Sequence, residues 1–318
     1  MATKEINKLG EGSQKMSSNL KGNLLMFVSK TFSGLNQNAL RYLLPNWMSP
    51  QTGVLLRLGF GTIFFTIYQC FVRKKYISPS LKDALLLLLA GLVFVFGYMF
   101  FLLEGLSYTT PISSSIFISL QPIFAFLICL VIKTEKATVK KVCGMFIGLG
   151  GALLCVLTQH SSAVASDPVK GNMFCLAGAF MYACYLITEK KFIPKYGSAM
   201  VSALTFGGGA IGAIVLVCVT GWHAEVLHQH LFSTPMLVLL FILIFPTALG
   251  YLLQDFALKL LSATVVALYG DLILIVSAIT SYILGQDSFS WFQIIAILLM
   301  LFSVYLVEVS ESAPSSAP

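Results

Sequence analysis

Residues 84–103 read ALLLLLAGLVFVFGYMFFLL and carry no charged side chain. As an α-helix rising about 1.5 Å per residue, those twenty positions extend about 30 Å, the thickness of a bilayer's hydrocarbon core. A soluble core has no use for such a segment. The strict apolar–polar alternation of a barrel strand is absent, so helix is the spanning element.

Similar runs recur along the chain, and they predict helices at about 22–42, 51–72, 83–105, 111–132, 140–158, 171–190, 198–220, 235–258, 262–284 and 289–308. Composition agrees: 57% of the 318 residues are hydrophobic and 10% charged, against about a quarter charged in soluble domains. Pro122 and Pro246 fall inside predicted helices, which a membrane bundle tolerates where neighbours satisfy the freed carbonyl.

The net charge of +7 is not a nucleic-acid signature, because the basic residues sit in loops between apolar runs. With the N-terminus inside, the inner segments include Lys4, Lys8 and Lys15, then Arg73, Lys74 and Lys75, then Lys140 and Lys141, then Lys190 and Lys191. The outer segments hold only Arg41 and Lys170. This bias orients both termini to the cytoplasm of a cell (inner) membrane, and a miscounted helix would scramble it.

The chain also repeats itself. Lys21-Gly22-Asn23 recurs as Lys170-Gly171-Asn172, and Pro45 and Ser49 as Pro194 and Ser198. Further on, Leu106, Thr110, Leu120 and Glu135 match Leu258, Ser262, Leu272 and Asp287. Five spans per half is an odd number, so the second half starts on the opposite side of the membrane. The expected fold is an all-α integral membrane protein with ten transmembrane helices as two inverted five-helix repeats. Residues 1–20 form a polar cytoplasmic N-terminus, 21–160 the first repeat, 170–308 the second, and 309–318 a disordered tail. Inverted repeats are a recurring plan of secondary transporters.

These residues resemble the EamA family of the drug/metabolite transporter superfamily. The likeness is carried by Lys21-Gly22-Asn23, Gly34-Leu35-Asn36, Ser49-Pro50, Arg57, Thr110-Pro111 and Gln121-Pro122-Ile123, and in the second half by Ala257-Leu258-Lys259, Ser262-Ala263, Tyr269, Leu272 and Asp287. Leu274 stands where the family has a proline, and Asp287 where it usually has glutamate. The resemblance implies a ten-helix bundle with a central cavity, and transport or export of metabolites such as amino acids by alternating access. The expected partners are a small-molecule solute, the lipid bilayer, and a coupling ion such as a proton or an exchange solute. No nucleic acid and no cofactor is expected.

An ionisable residue inside a membrane helix is a functional hypothesis by default. Lys30 and Asp271 lie at matching depths from the inner face and are expected to meet across the cavity. Lys30, Ser33, Asn36 and Gln37 form a polar stripe on the first helix, too polar for lipid. Tyr251 and Asp255 continue a four-residue stripe from Thr247 that suits the opposite wall. Tyr98, Ser115, Ser119 and Tyr269 are further cavity candidates, with Tyr182 and Tyr185 behind them. Arg57 and Glu104 match in depth near the outer face and suit a gating or structural pair. Asp255 and Lys259 are spaced to pair locally.

Other features carry no chemistry. The seven cysteines read as small apolar residues, and the glycine runs at 144–151 and 207–212 as helix-packing surfaces. No carboxylate cluster accompanies His228 and His230, so no metal site is expected. Alternatives to transport are a non-transporting membrane partner or sensor, or an intramembrane enzyme. For the enzyme, Asp255 and Asp271 sit too far apart in depth to share a proton.

Overall fold

A computed structural model describes residues 2–72, 78–133, 138–158, 165–258, 260, 269–287 and 290–312. The described residues form helices and no strand. In order they are α1 (Ala2–Leu43), α2 (Pro50–Val72), α3 (Leu81–Tyr108), α4 (Pro111–Val131) and α5 (Val139–Thr158). Then come α6 (Pro168–Tyr196), α7 (Ser198–Thr220), α8 (Thr234–Ala257), α9 (Gly270–Ile283) and α10 (Trp291–Ser312). By length and composition α2, α3, α4, α6, α7 and α8 can each cross a membrane, and Leu272–Ile283 and Trp291–Ser303 are shorter apolar helices.

The boundaries have local causes. Ser80, Thr110 and Asp167 cap α3, α4 and α6 by accepting the backbone N–H three residues on, and Pro111 and Pro168 follow two of those caps in the first turn. Gly197 and Gly221 end α6 and α7 at φ 78° and 92°, where an L side chain is strained. The largest departure from the expected boundaries is at the N-terminus. Helix α1 begins at Ala2 rather than near residue 22, because the polar leader is rich in helix-compatible residues and contains no proline.

Three helices are interrupted. Helix α3 widens to a π turn over Gly91–Val95, and α8 does so over Leu243–Leu249 around Pro246. Pro246 has no N–H to give, and the wider turn accommodates its ring. Helix α4 breaks between Ile118 and Gln121, so Pro122 sits in the first turn of a new helix rather than mid-helix.

Glycines set the closest crossings. A Cβ on Gly208 would lie 1.9 Å from the Leu88 carbonyl oxygen, and one on Gly91 1.9 Å from that of Thr205. Helices α3 and α7 therefore meet backbone to backbone. At the α5–α10 seam a Cβ on Gly148 would meet Ser303 Oγ at 2.5 Å. The most extensive packing joins α2 to α7, α5 to α10, α3 to both α6 and α7, and α1 to both α8 and α9, while α4 also packs on α6. Advancing every label by five maps α2–α7 and α5–α10 onto themselves, α3–α6 onto α1–α8, and α4–α6 onto α1–α9.

Polarity is distributed inside out. Phe71, Val219 and Ile283 are 82%, 81% and 78% exposed, whereas Asn36, Gln37, Asn38 and Arg57 are 4%, 3%, 1% and 2% exposed. A water-facing surface would reverse this order; a lipid-facing one requires it. The cysteines follow their helix faces: Cys155 and Cys175 are buried, whereas Cys70, Cys143 and Cys218 are exposed on the apolar exterior.

Candidate functional site

Ser29, Lys30, Ser33, Asn36 and Gln37 recur at helical spacing and share one face of α1. That face is tied to α8. Ser29 Oγ donates to the Gly250 carbonyl at 2.7 Å, and Lys30 Nζ donates to Gln254 Oε1 at 2.6 Å. The next residue along, Asn38, donates to the Ser277 carbonyl of α9 at 3.2 Å, and Ser277 Oγ donates to the Pro111 carbonyl at the start of α4 at 3.2 Å.

Between these ties a cavity of about 510 Å³, counting its open mouth, lies at the centre of the bundle. Helix α1 supplies the five residues of its polar face, α2 supplies Arg57, α3 Tyr98, and α6 Tyr182. The break in α4 brings Ile118 and Gln121 to the wall, and the π turn of α8 precedes Gly250, Tyr251 and Gln254, with Pro246 itself in the lining. Ile273 of α9 completes it.

The lining is cationic and aromatic. Arg57 Nε donates to Thr247 Oγ1 at 3.0 Å, while its Nη1 has no partner among the described residues. The Asn36 Oδ1 acceptor is likewise unpartnered. The Tyr98 and Tyr182 rings stand 4.7 Å apart, and Tyr251 meets Phe206 edge-on at 5.2 Å. Two cations and no carboxylate line the cavity among the described residues. No group of three His, Cys, Asp or Glu there is arranged to hold a metal.

Of the residues picked out in the sequence, the structure gathers Lys30, Ser33, Asn36, Gln37, Tyr98 and Tyr251 around this cavity. Ser115 and Ser119 are not in its lining: their hydroxyls donate back to the Pro111 and Ser115 carbonyls at 2.8 and 2.9 Å. Tyr269, just before α9, is also outside it. The side chain of Asp271 and all of Lys259 lie outside the described residues, so neither the Lys30–Asp271 meeting nor the Asp255–Lys259 pair is described.

Arg57 and Glu104 do not pair. Arg57 turns to Thr247 and the cavity, whereas Glu104 Oε1 accepts from the Tyr108 hydroxyl at 3.4 Å. Matching depth fixes a height along two helices but not the direction each side chain faces. The same geometry explains Asp255. On an ideal helix each step of four advances about 40°, so a stripe from Thr247 through Tyr251 has turned about 80° away by Asp255. Gln254, about 20° from Thr247, is the residue that lines the cavity instead.

Sequence reasoning missed Ser29 and Gln254 as lining residues, and it missed Glu189. Glu189 falls near the inner end of the helix expected at 171–190, next to Lys190 and Lys191. Helix α6 in fact runs on to Tyr196, which leaves Glu189 2% exposed and accepting the Tyr185 hydroxyl.

Comparison with known proteins bears on the whole chain. The model of the EamA-like transporter family matches residues 20–157 and 169–309. YyaM, an uncharacterized transporter of Bacillus subtilis, is 24% identical over 285 residues, covering 88% of this chain and 91% of its own length. An uncharacterized transporter of Archaeoglobus fulgidus is 24% identical over 244 residues, 76% of this chain and 82% of that one. A solved crystal structure shares the fold at a TM-score of 0.62 and 16% identity, covering 92% of this chain and 98% of the other. With its apolar exterior, its buried polar seam and a family match over both halves, this membrane protein belongs to the EamA-like transporter family.

Proposed function

We propose that this protein is a secondary transporter that moves small metabolites, amino-acid-like or related solutes, out across a cell (inner) membrane by alternating access. Ten transmembrane helices form two inverted five-helix repeats, with both termini in the cytoplasm. The central cavity holds the solute, and a proton gradient or an exchanged solute supplies the energy.

One observation carries this reading. The cavity lies where α1, α2, α3 and α4 meet α6, α8 and α9, and the pairings between the halves, α2–α7, α5–α10, α3–α6 with α1–α8, and α4–α6 with α1–α9, are kept when the halves are exchanged. An inverted pair of halves can trade conformations, opening the shared cavity to one side and then the other. The two helices with a π turn, α3 and α8, hold equivalent places in the halves and both border the cavity. Such interruptions suit helices that bend.

The test is solute flux into proteoliposomes containing the purified chain, across amino acids, organic acids and polyols. Flux above that of protein-free vesicles, strongly reduced by Lys30→Ala and by Asp271→Asn, is the expected result. Flux unchanged in both variants removes the cavity as the solute site, and no flux for any solute removes the transport reading.

A further inference from the structure

We infer that the cavity takes a small organic anion, its carboxylate or other oxyanion seated against Arg57 and Lys30 and its remainder against the tyrosines. The inference rests on the transport reading and narrows its solute.

The starting point is a charge that the protein leaves unanswered. Arg57 is 2% exposed, and burying a guanidinium in a bilayer is costly unless it is paired. Thr247 answers Nε with a neutral hydroxyl, and Nη1 is left with no partner among the described residues. Among the described residues, Lys30 is answered only by the neutral amide oxygen of Gln254. Arg57 and Lys30 face the same cavity, and no carboxylate among the described residues lines it. The buried acids Glu189 and Asp255 lie outside the lining.

A purely structural arginine in this position would meet a carboxylate or several carbonyls. An arginine held by one end, with its other end open to a void, is arranged to receive an anion. The planar fork of the guanidinium matches a carboxylate or phosphate edge, and charge-assisted bonds are roughly twice as strong as neutral ones. The remaining lining defines the rest of the solute. Asn36 Oδ1, also buried and unpartnered, accepts from a hydroxyl or amide on the ligand. Tyr98, Tyr182 and Tyr251 supply ring surface for a flat or apolar body. A cationic solute would meet two like charges in a low dielectric and be rejected.

The test uses the full chain in detergent and three matched probes: phenyllactate, its amide, and the corresponding amino alcohol. Succinate, benzoate and inorganic phosphate extend the anion arm. Binding is read as the rise in melting temperature with probe concentration. At least one anion is expected to bind, and phenyllactate to outbind its amide and amine at least about tenfold, the effect of one charged hydrogen-bonding group. Arg57→Gln loses that margin, and Arg57→Lys keeps part of it. The acid-against-amide contrast in the wild-type chain needs no variant, so a poorly folded Arg57→Gln does not decide the matter.

Equal binding of the amide or amine overturns the inference. So does the absence of binding by every anion, or a well-folded Arg57→Gln that binds phenyllactate as the wild type does. Flux of the same probes in proteoliposomes separates the two readings. Anions that bind but never cross sink the transport reading and leave the anion site. Neutral or cationic probes that cross while anions neither bind nor cross sink the anion site and leave transport.

Discussion

Two places inside the bundle hold polar atoms and treat them oppositely. At the α5–α10 seam one buried hydroxyl is answered. Between α5 and α10, Ser303 Oγ donates to the Gly144 carbonyl at 2.7 Å while Gly148 and Gly151 let the helices close, with Ala296 and Met300 fully buried. Between α3 and α7 the crossing is tighter still, and it leaves no room for a methyl group. In the cavity, Arg57 Nη1 and Asn36 Oδ1 are buried and unanswered. A membrane bundle thus has two uses for polarity. Satisfied groups hold helices together, and unsatisfied groups around a void are left for something that comes and goes.

The largest expected effect breaks a seam. A methyl at Gly208 would lie 1.9 Å from the Leu88 carbonyl oxygen and 2.7 Å from its carbon. The clash is with backbone, which cannot swing aside as a side-chain tip can. Gly208→Ala is expected to destabilise by about 3 kcal/mol or more. It should appear as a much lower melting temperature in detergent and loss of monodisperse protein, with no solute restoring either. A well-behaved Gly208→Ala would mean that α3 and α7 do not meet backbone to backbone.

The next effect belongs to the cavity and has the opposite signature. Arg57→Gln removes a buried, half-answered charge, so the melting temperature should hold or rise. Solute flux should nevertheless fall at least tenfold, from loss of about 1.5–3 kcal/mol of charged hydrogen bonding to the solute. If Arg57→Gln instead melts as early as Gly208→Ala, Arg57 is a structural residue and the contrast between seam and cavity fails at its most informative point.

How far the sequence shows these two regions differs for a physical reason. Apolar runs, loop charge and a duplicated Lys-Gly-Asn opening are one-dimensional signals, and they were enough to anticipate α2 through α8 within a few residues at most boundaries. The α1 stripe was legible too, because four polar residues at helical spacing cannot all face lipid. What failed needed rotation about a helix axis or knowledge of a bent helix. Arg57 and Glu104 shared a depth but not a direction. Asp255 drifted off a stripe that Gln254 stayed on. Ser115 and Ser119 looked like cavity hydroxyls, yet both bond back to the part of their own helix that precedes the bend carrying Gln121 to the wall. Glu189 sits near the end of its expected helix, and spacing does not show that α6 runs on to Tyr196 and buries it. None of these is encoded by spacing alone.

The smallest expected effect is also the sharpest comparison, because two serines make the same bond in the two regions. Ser303 Oγ reaches the Gly144 carbonyl at the α5–α10 seam, and Ser29 Oγ reaches the Gly250 carbonyl at the cavity wall, each at 2.7 Å. Both serines are buried, at 0% and 2% exposure. Replacing either by alanine deletes one interhelical hydrogen bond, worth about 0.6 kcal/mol on average in membrane bundles. The two variants should therefore melt within a degree or so of each other, slightly below the wild type. Flux should separate them. Ser303→Ala touches nothing in the cavity and should transport as the wild type does. Ser29→Ala loosens α1 from α8 beside Lys30 and opens a cavity wall, so its apparent solute affinity should weaken several-fold at nearly unchanged stability. Equal flux in the two variants would show that the α1–α8 tie is only another seam. The solute contacts would then have to lie deeper, among Arg57, Asn36 and the tyrosines.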